Sequence, residues 1–216
     1  MIEKTTLDFL KNLKKNNSKE WFEKNRSHFE KAKQNFESFI TQMIFEMAKI
    51  NPDLVGVEPK KCIFRLNRDV RFSKNKEPYK NNFGAAISEN GKSMETALFY
   101  FHLEPGNKSF IAAGRYMPDS KALRSIREKI LEDSSAFKKI IESKKIKEIF
   151  TGLSDLKVKT VPRGYSKDHP EIELLKYTSF IVEKPVSDEF ILSKEFTKLW
   201  IESYKAILPL LRYFNS

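Results

Sequence analysis

The sequence predicts a single α+β domain over residues 1–216, in which helices flank an antiparallel sheet with a meander at its core. Apolar residues recur every three or four positions near both ends of the chain, which predicts long N-terminal and C-terminal helices. Between them, short apolar stretches separated by turns follow one another without alternating β-α-β units. With 40% hydrophobic residues, the chain can form a substantial core.

The first quarter of the chain is predicted to be helical. Thr5 or Thr6 caps a short helix, which ends at Asn16-Asn17. A much longer helix starts at Ser18 and ends at Asn51-Pro52, because aromatic residues and methionines recur along it at helical spacing. Core packing accounts for this aromatic stripe.

Five stretches are predicted to be strands, because they are short, apolar and bounded by turn residues. Two of them form a hairpin around the tight turn Pro105-Gly106-Asn107. The five stretches are Cys62–Leu66, Phe83–Ser88, Thr96–Leu103, Ser109–Tyr116 and Ser179–Pro185.

Further helices are predicted in the second half of the chain. One is capped by Asp119 or Ser120, and a second covers 138–150. Helical segments also begin at Asp188 and at Ser193, and the last of these becomes the C-terminal helix.

Composition narrows the class of protein. The net charge of +11 invites nucleic acid or an acidic membrane surface as a partner, although a lysine-rich solubilising surface explains it equally well. Cys62 is the single cysteine, which excludes an intrachain disulfide and a cysteine-based zinc cluster. The charged first residues do not resemble a signal peptide, and no apolar stretch approaches the roughly 18 residues of a membrane span. We therefore expect a soluble, cytoplasmic protein without a membrane partner; the oligomeric state is unknown.

Arginine is concentrated in one place. The chain has 31 lysines but only nine arginines, and three of the nine, Arg65, Arg68 and Arg71, fall within seven residues. The planar guanidinium suits bidentate recognition of carboxylate or phosphate better than lysine does. We call Arg65–Lys80 the basic segment and expect it to hold an anion.

Residues of several types in the basic segment are candidates for this site. Asp69 could transfer a proton, or it could simply pair with Arg68 or Arg71 and stabilise the loop. Against a purely structural role, the stretch 58–82 carries eight Lys and Arg against three Asp and Glu. This excess needs water or an external anion. The anion-binding candidates are Arg65, Arg68, Arg71, Lys76, Tyr79 and Lys80.

A second polar segment, Val161–Glu171, supplies further candidates. Arg163 is a possible anion ligand, and Tyr165 and His169 are candidates for proton transfer. His169 could equally be structural, as a cap for the following helix, and Asp168 could serve as that N-cap. We expect the two polar segments to meet in space.

Other functional classes lack support. The sequence contains no HExxH, GxxxxGK[ST], GxSxG or GxGxxG motif, so it identifies no cofactor. A metal site would need Asp69, Asp168 and His169 to converge, for which there is no local evidence, and we predict none.

The basic segment resembles the signature of a bacterial family of uncharacterised proteins, domain of unknown function 2461. The similarity runs from Arg65 through Arg68-Asp69 to Pro78-Tyr79-Lys80, and the opening around Trp21-Phe22 is similar as well. Arg163–Pro170 is similar to a second block of that family. The resemblance covers essentially the whole chain and implies that the two polar segments belong together, but it implies no activity.

Two hypotheses of different class follow. In the first, the protein has an arginine-rich pocket for a small anionic ligand and acts as an enzyme on a phosphorylated or carboxylated small molecule. In the second, it is a non-catalytic binder of nucleic acid or another polyanion, with Phe64, Phe72 and Tyr79 available to stack on bases. The sequence leaves open whether any reaction is catalysed.

Overall fold

The computed structural model describes residues 1–216 and has an α+β fold. The chain forms two compact units, each built from separate stretches of sequence. Unit 1 contains Met1–Lys92, Tyr100–Ile111 and Pro185–Glu202. Unit 2 contains Ser93–Phe99, Ala112–Lys184 and Ser203–Ser216. The organisation as one domain over residues 1–216 stays a prediction.

Ten α-helices and four strands make up the regular structure, with one 3₁₀ turn at Pro52–Leu54. The helices are α1 Lys4–Lys15, α2 Lys19–Lys24, α3 Arg26–Ala48, α4 Pro59–Cys62, α5 Ser120–Glu132, α6 Ser134–Ile141, α7 Lys144–Ile149, α8 Ile172–Leu175, α9 Asp188–Ile191 and α10 Glu195–Asn215. The strands are β1 Phe83–Ile87, β2 Leu98–Leu103, β3 Ser109–Arg115 and β4 Phe180–Val186.

The sheet is antiparallel, and its order β1-β2-β3-β4 follows the chain, as the predicted meander requires. The β2–β3 hairpin turns at Gly106 and Asn107, both of which have positive φ. Asp188 at the start of α9 holds this turn, because its carboxylate accepts hydrogen bonds from both of these backbone N–H groups, at 2.8 and 3.0 Å.

The N-terminal helices form the apolar core of unit 1. α3 packs against α1 and carries a buried stripe that includes Phe36, Phe39 and Met43. The ring of Phe39 stacks on Phe196 at 5.7 Å and meets the edge of Trp200 at 5.4 Å. The predicted aromatic stripe is therefore core, as its helical spacing indicated.

The expected continuous helix from Ser18 to Asn51 is interrupted. Ser18 does cap a helix, since its hydroxyl accepts from the Trp21 N–H at 3.2 Å, but that helix ends after one and a half turns. Asn25 separates α2 from α3, and its side-chain amide donates to the Trp21 carbonyl at 2.9 Å. A short polar side chain that bonds to the neighbouring backbone competes with the helical ladder, which is why apolar spacing alone misses this break.

Two further predicted elements differ from the structure. The expected strand Cys62–Leu66 is replaced at its start by α4, which Pro59 begins, and only an isolated bridge from Ile63 to Ala85 follows. The expected helix over 138–150 is two helices, α6 and α7. α6 starts earlier, because the Asp133 carboxylate accepts from the Ala136 N–H at 2.9 Å.

Candidate functional site

The basic segment folds back on itself as a small hairpin in unit 1. Asn67 and Tyr79 form an antiparallel bridge, the Arg68 N–H donates to the Pro78 carbonyl, and the Lys80 N–H donates to the Leu66 carbonyl, both at 2.9 Å. Residues 69–77 form the turn of this hairpin and contain no helix or strand. Most side chains of the turn therefore face solvent.

Unit 1 holds this hairpin through Tyr79 and Asn17. The Tyr79 ring is buried and stacks on Phe22 with a centroid distance of 4.2 Å. The Asn17 amide bonds to both backbone groups of Tyr79: its Nδ2 donates to the carbonyl at 3.0 Å and its Oδ1 accepts from the N–H at 3.1 Å. Tyr79, a predicted anion ligand, thus anchors the segment.

Asp69 chelates Arg71 within the turn. Arg71 Nε and Nη2 donate to the two carboxylate oxygens at 3.0 and 2.7 Å, and the Arg71 backbone N–H adds a third bond at 3.3 Å. These bonds hold the pKa of the Asp69 carboxyl below its usual range and raise the pKa of Arg71. Asp69 therefore holds one arginine in a fixed orientation, as expected for an ionised carboxylate at that position.

The other charged groups of the turn are also partly paired. Arg68 is half-buried, lies 3.7 Å from the Glu77 carboxylate, and donates to the Ser73 hydroxyl at 3.4 Å. Lys76 Nζ donates to the Val70 carbonyl at 3.1 Å, which closes the turn. Both side chains help to shape the hairpin.

Arg65 and Lys80 differ from these residues because neither has a hydrogen bond or ion pair to a carboxylate, although the charge of Arg65 contributes to the lowered pKa of Asp69. The exposed Arg65 guanidinium makes no hydrogen bond or ion pair, and Lys80 Nζ has only the Phe64 ring, 5.5 Å from its centroid. The pKa of Lys80 is lowered, first by burial and then by the positive charge of Arg65. These two cations are close enough to disfavour one another's charge, and the nearby Asp69 is already bonded to Arg71. They are therefore the part of the basic segment best suited to an external anion.

A polar cluster on β2, which the sequence analysis did not single out, continues from this point. Tyr100, His102 and Glu104 follow one another at every second position and lie on one side of the strand. The Tyr100 ring meets Phe64 edge-on at 6.2 Å, so Phe64 contacts both the Lys80 ammonium and this cluster. Alternation of polar residues within a predicted strand is the signal that could have identified it.

The second polar segment lies in unit 2. His169 Nδ1 accepts from the Glu171 N–H at 3.0 Å just before α8, which favours the capping role that the sequence left open. Asp168 makes no such cap, although the sequence allowed it as the N-cap. The ring of Tyr165 lies 5.9 Å from the Arg127 guanidinium, and Arg163 is exposed. The expected convergence of the two polar segments stays a prediction.

Arg127 and Glu171 are charged residues of unit 2 that the sequence analysis passed over. Arg127 Nη2 donates to the Tyr177 carbonyl at 3.3 Å, its Nε is buried without a partner, and burial lowers its pKa. Glu171 accepts from Lys138 at 2.6 Å and from Ser134 at 2.9 Å, and these bonds hold the pKa of its carboxyl below the usual range. The contacts of Arg127 and Glu171 join residues that are distant in sequence, so only the folded chain reveals them.

Two wider features of the structure bear on function. No group of three or more His, Cys, Asp or Glu side chains has the arrangement needed to hold a metal ion. None of the helices combines the length and the apolar character that crossing a membrane requires.

Comparison with known families gives one match. The family of conserved hypothetical proteins DUF2461 matches residues 5–213, which is nearly the whole chain. The chain belongs to this family. Neither the curated proteins nor the solved structures contain a match to this DUF2461 protein.

Proposed function

We propose that this DUF2461 protein binds a small molecule through a phosphate or carboxylate group at Arg65 and Lys80, and that it is an enzyme acting on that molecule. The observation that carries the proposal is the pair of adjacent cations, neither of which has a hydrogen bond or ion pair to a carboxylate. The Arg65 fork can donate two parallel hydrogen bonds to an oxyanion, and Lys80 adds a third donor and a second charge.

The way in which the hairpin uses its carboxylates supports this choice. Asp69 is bonded to Arg71, and Glu77 lies beside Arg68 and Asn75, so neither makes a hydrogen bond or ion pair with Arg65 or Lys80. Asp69 acts on Arg65 only through a charge interaction without a hydrogen bond. A bound anion would relieve the repulsion between the two cations. The hairpin is also fixed to its unit by Asn17 and Tyr79, which lowers the entropy lost when a ligand binds.

A second candidate function rests on Phe72. Its ring is 97% exposed at the turn of the hairpin, 6.0 Å from the Arg71 guanidinium. An exposed aromatic ring beside arginine and lysine is the arrangement with which proteins stack on unpaired bases while tracking a phosphate backbone. Binding of nucleic acid or another polyanion is therefore the alternative.

Titration with inorganic phosphate, followed by NMR of the backbone amides, tests the first proposal. Arg65→Lys keeps the charge and removes the fork, so we expect the affinity to fall at least about tenfold, as loss of one charge-assisted hydrogen bond does. Lys80→Gln should weaken binding comparably. Lys74→Gln, at an exposed lysine of the same hairpin turn, is the control and should change affinity less than about twofold. Equal effects at all three positions would contradict a clamp at Arg65 and Lys80.

The salt dependence of binding to random-sequence single-stranded DNA tests the alternative. A strand binder loses about 0.7 units of log K per phosphate contact for each log unit of salt. It should also weaken when Phe72 is replaced by alanine, and hardly respond to Arg65→Lys. Tight binding with a steep salt slope and this mutational pattern would favour the polyanion function over the clamp.

A further inference from the structure

β2 and the residue that follows it carry three polar side chains joined into one hydrogen-bonded chain. His102 Nε2 lies 3.1 Å from a carboxylate oxygen of Glu104, and His102 Nδ1 lies 3.2 Å from the hydroxyl of Tyr100. The side chains of His102 and Glu104 are 17% and 19% exposed, so water competes only partly for these bonds. A carboxylate, an imidazole and a phenol are thus connected in series.

We infer the direction of the hydrogen bonds from the neighbouring groups. The other oxygen of Glu104 accepts from Lys14 Nζ at 3.4 Å, so the carboxylate is an acceptor on both sides. His102 must then donate from Nε2, which leaves Nδ1 as the acceptor in the neutral ring. The Tyr100 hydroxyl therefore donates to Nδ1, where the Asn82 amide also approaches to 3.4 Å.

Neighbouring groups hold the imidazole and the carboxylate in place. Phe110 on the adjacent strand stacks on the His102 ring with a centroid distance of 4.7 Å and an interplanar angle of 12°. Ser109 bonds to both backbone groups of Glu104, at 2.9 and 3.0 Å. Orientation from several sides is what an acid–base group needs, since proton transfer depends on fixed geometry.

Gly84 on β1 makes room for the phenol. A Cβ at this position would lie 2.8 Å from the Tyr100 hydroxyl oxygen, closer than side chains tolerate. The hydroxyl therefore rests against the backbone of the neighbouring strand, at a place that only glycine leaves open. This close approach gives a way to displace the phenol without altering any titratable group.

We propose that Tyr100, His102 and Glu104 form a proton relay in which the Tyr100 hydroxyl is the working group, acting on the ligand that Arg65 and Lys80 bind. In the forward step, a substrate X–H proton passes to Tyr100 Oη while the phenol proton passes to His102 Nδ1. His102 and Glu104 are positioning residues, because the carboxylate stabilises the imidazolium that forms. The proposed class of substrate depends on the proposed anion site at Arg65 and Lys80. The proposed activation of the Tyr100 phenol does not depend on that site.

The relay is an alternative to the proton-transfer candidates Asp69, Tyr165 and His169 drawn from the sequence. Asp69 is chelated by Arg71, and His169 Nδ1 accepts from the Glu171 backbone N–H, whereas the Tyr100 hydroxyl bonds to an imidazole that can accept its proton. Phe64 links the relay to Lys80 within unit 1. The reaction class that fits is abstraction or delivery of a proton on an oxyanion-bearing small molecule.

Acetylation of the seven tyrosines by N-acetylimidazole, followed by peptide mass spectrometry, tests the relay. The reagent transfers its acetyl group to a phenol oxygen and imidazole leaves with the proton, so an adjacent base accelerates the reaction. Tyr116 is 43% exposed and serves as the reference, whereas Tyr100 is half-buried. If accessibility alone sets the rate of acetylation, Tyr116 reacts faster than Tyr100. If the relay is present, Tyr100 reacts at least about tenfold faster than Tyr116.

Three variants identify the cause of a fast Tyr100. His102→Gln and Glu104→Gln should each bring its rate down to that of Tyr116 or below, and Gly84→Ala should do the same by displacing the hydroxyl. Unchanged circular dichroism and thermal midpoints establish that each variant is folded. If His102→Gln and Gly84→Ala unfold the protein, the nearly isosteric Glu104→Gln variant alone decides whether the relay exists. A Tyr100 rate below that of Tyr116 in the wild type, or one unaffected in the folded variants, would overturn the relay.

The tautomer of His102 provides an independent readout. Long-range ¹H–¹⁵N correlation in mildly alkaline buffer should show the Nε2–H form, and the chain has only three histidines to assign. The Nδ1–H form would overturn the proposed direction of transfer. Neither measurement uses phosphate, so loss of anion binding at Arg65 and failure of the relay are separately detectable.

Discussion

At the level of single residues, the charged side chains of the basic segment divide into paired and unpaired groups. Asp69 and Arg71 satisfy each other, and Lys76 caps a backbone carbonyl. Arg65 and Lys80 have no hydrogen bond or ion pair to a carboxylate, and the charge of Arg65 lowers the pKa of Lys80. Arginine spacing alone predicted a site in this segment but could not rank its members, since pairing depends on how the hairpin turns.

Cys62, three residues before the basic segment, should be chemically inert in the folded protein. It is fully buried, and burial raises the pKa of its thiol to about 11, so almost none is thiolate at pH 8. We expect 5,5′-dithiobis(2-nitrobenzoate) to react at least about a hundredfold more slowly with the native chain than with the chain in denaturant. Rapid stoichiometric reaction of the native protein would contradict the burial of this residue.

At the level of elements, the hairpin of the basic segment depends on a side chain from the α1–α2 connection. The Asn17 amide pairs with Tyr79 much as a neighbouring strand would, although the two residues are 62 positions apart. The sequence predicted that the asparagine pair ends the first helix, which is confirmed, but a long-range hydrogen bond leaves no local signature.

Asn17→Ala should loosen the hairpin. It removes both bonds to Tyr79 and leaves a half-buried N–H and C=O without these partners, which costs about 1–3 kcal/mol. Denaturant unfolding measures the loss, and hydrogen exchange should show faster exchange of the Tyr79 amide. Asn16→Ala, next door but exposed and bonded only within its own helix, is the control and should cost less than about 0.5 kcal/mol. Equal costs would contradict an anchoring role for Asn17.

The β3–β4 pairing should be intolerant of a side chain at Gly114. This residue has φ +127°, and a Cβ would lie 2.1 Å from the Phe180 carbonyl oxygen, so alanine must separate the two strands. We expect Gly114→Ala to cost about 3 kcal/mol or more in urea unfolding.

Gly152 supplies the matched control for that clash. Its φ is +93°, but a Cβ there would meet nothing within 4 Å, so alanine adds only backbone strain of about 1–2 kcal/mol. The difference between the two variants measures the steric term. A Gly114→Ala protein as stable as Gly152→Ala would show that β3 and β4 do not approach as described.

At the level of the whole molecule, the sequence specified the fold better than it specified the site. The meander and both terminal helices follow from apolar periodicity and turn residues, and the observed fold confirms them. The break at Asn25 was missed because its side chain competes with the helical backbone over one or two residues. The break at Glu142 was missed as well.

The candidate site was predicted only where it is local in sequence. Arg65 and Lys80 were both named, yet the pairing of Asp69 and Glu77 with other arginines depends on how the hairpin folds. Tyr100 and His102 were assigned simply to the predicted strand Thr96–Leu103, and Glu104 lies just after its end. Their hydrogen bonds required the rotamers of the folded sheet. The alternation of side chains along a strand predicts that the three residues share one face, but it does not predict that they are within hydrogen-bonding distance.

The stability of the chain should fall in acid through its paired carboxylates. The pKa of Glu171 is lowered mainly by the hydrogen bond from Lys138, so its contribution is complete at neutral pH and is lost as the pH falls below the usual value of 4.5. Glu171→Gln should lower the thermal midpoint by about 2–4 °C at pH 7, the shift that about 1 kcal/mol causes in a chain of this length. That difference should vanish near pH 3.

Glu173→Gln is the control for this pH dependence. The pKa of Glu173 is also lowered, mainly by a hydrogen bond from Lys176, but its side chain is 67% exposed and the interaction is screened by solvent. Its midpoint should stay within about 1 °C of wild type from pH 3 to pH 7. A pH-independent deficit in Glu171→Gln would argue that this residue contributes packing and not charge.

The exposed ring of Phe72 has a consequence for proteolysis. Proteases bind their substrates as extended backbone, and chymotrypsin cleaves after aromatic residues. Phe72 is exposed in a turn without regular structure, so chymotrypsin can reach it in the folded chain. Most of the other phenylalanines lie in helices or strands. Brief digestion should therefore nick the native protein after Phe72 and yield fragments 1–72 and 73–216. A ligand seated on the hairpin would delay the nick, which turns the rate of cleavage into an assay for compounds whose chemistry is not known in advance.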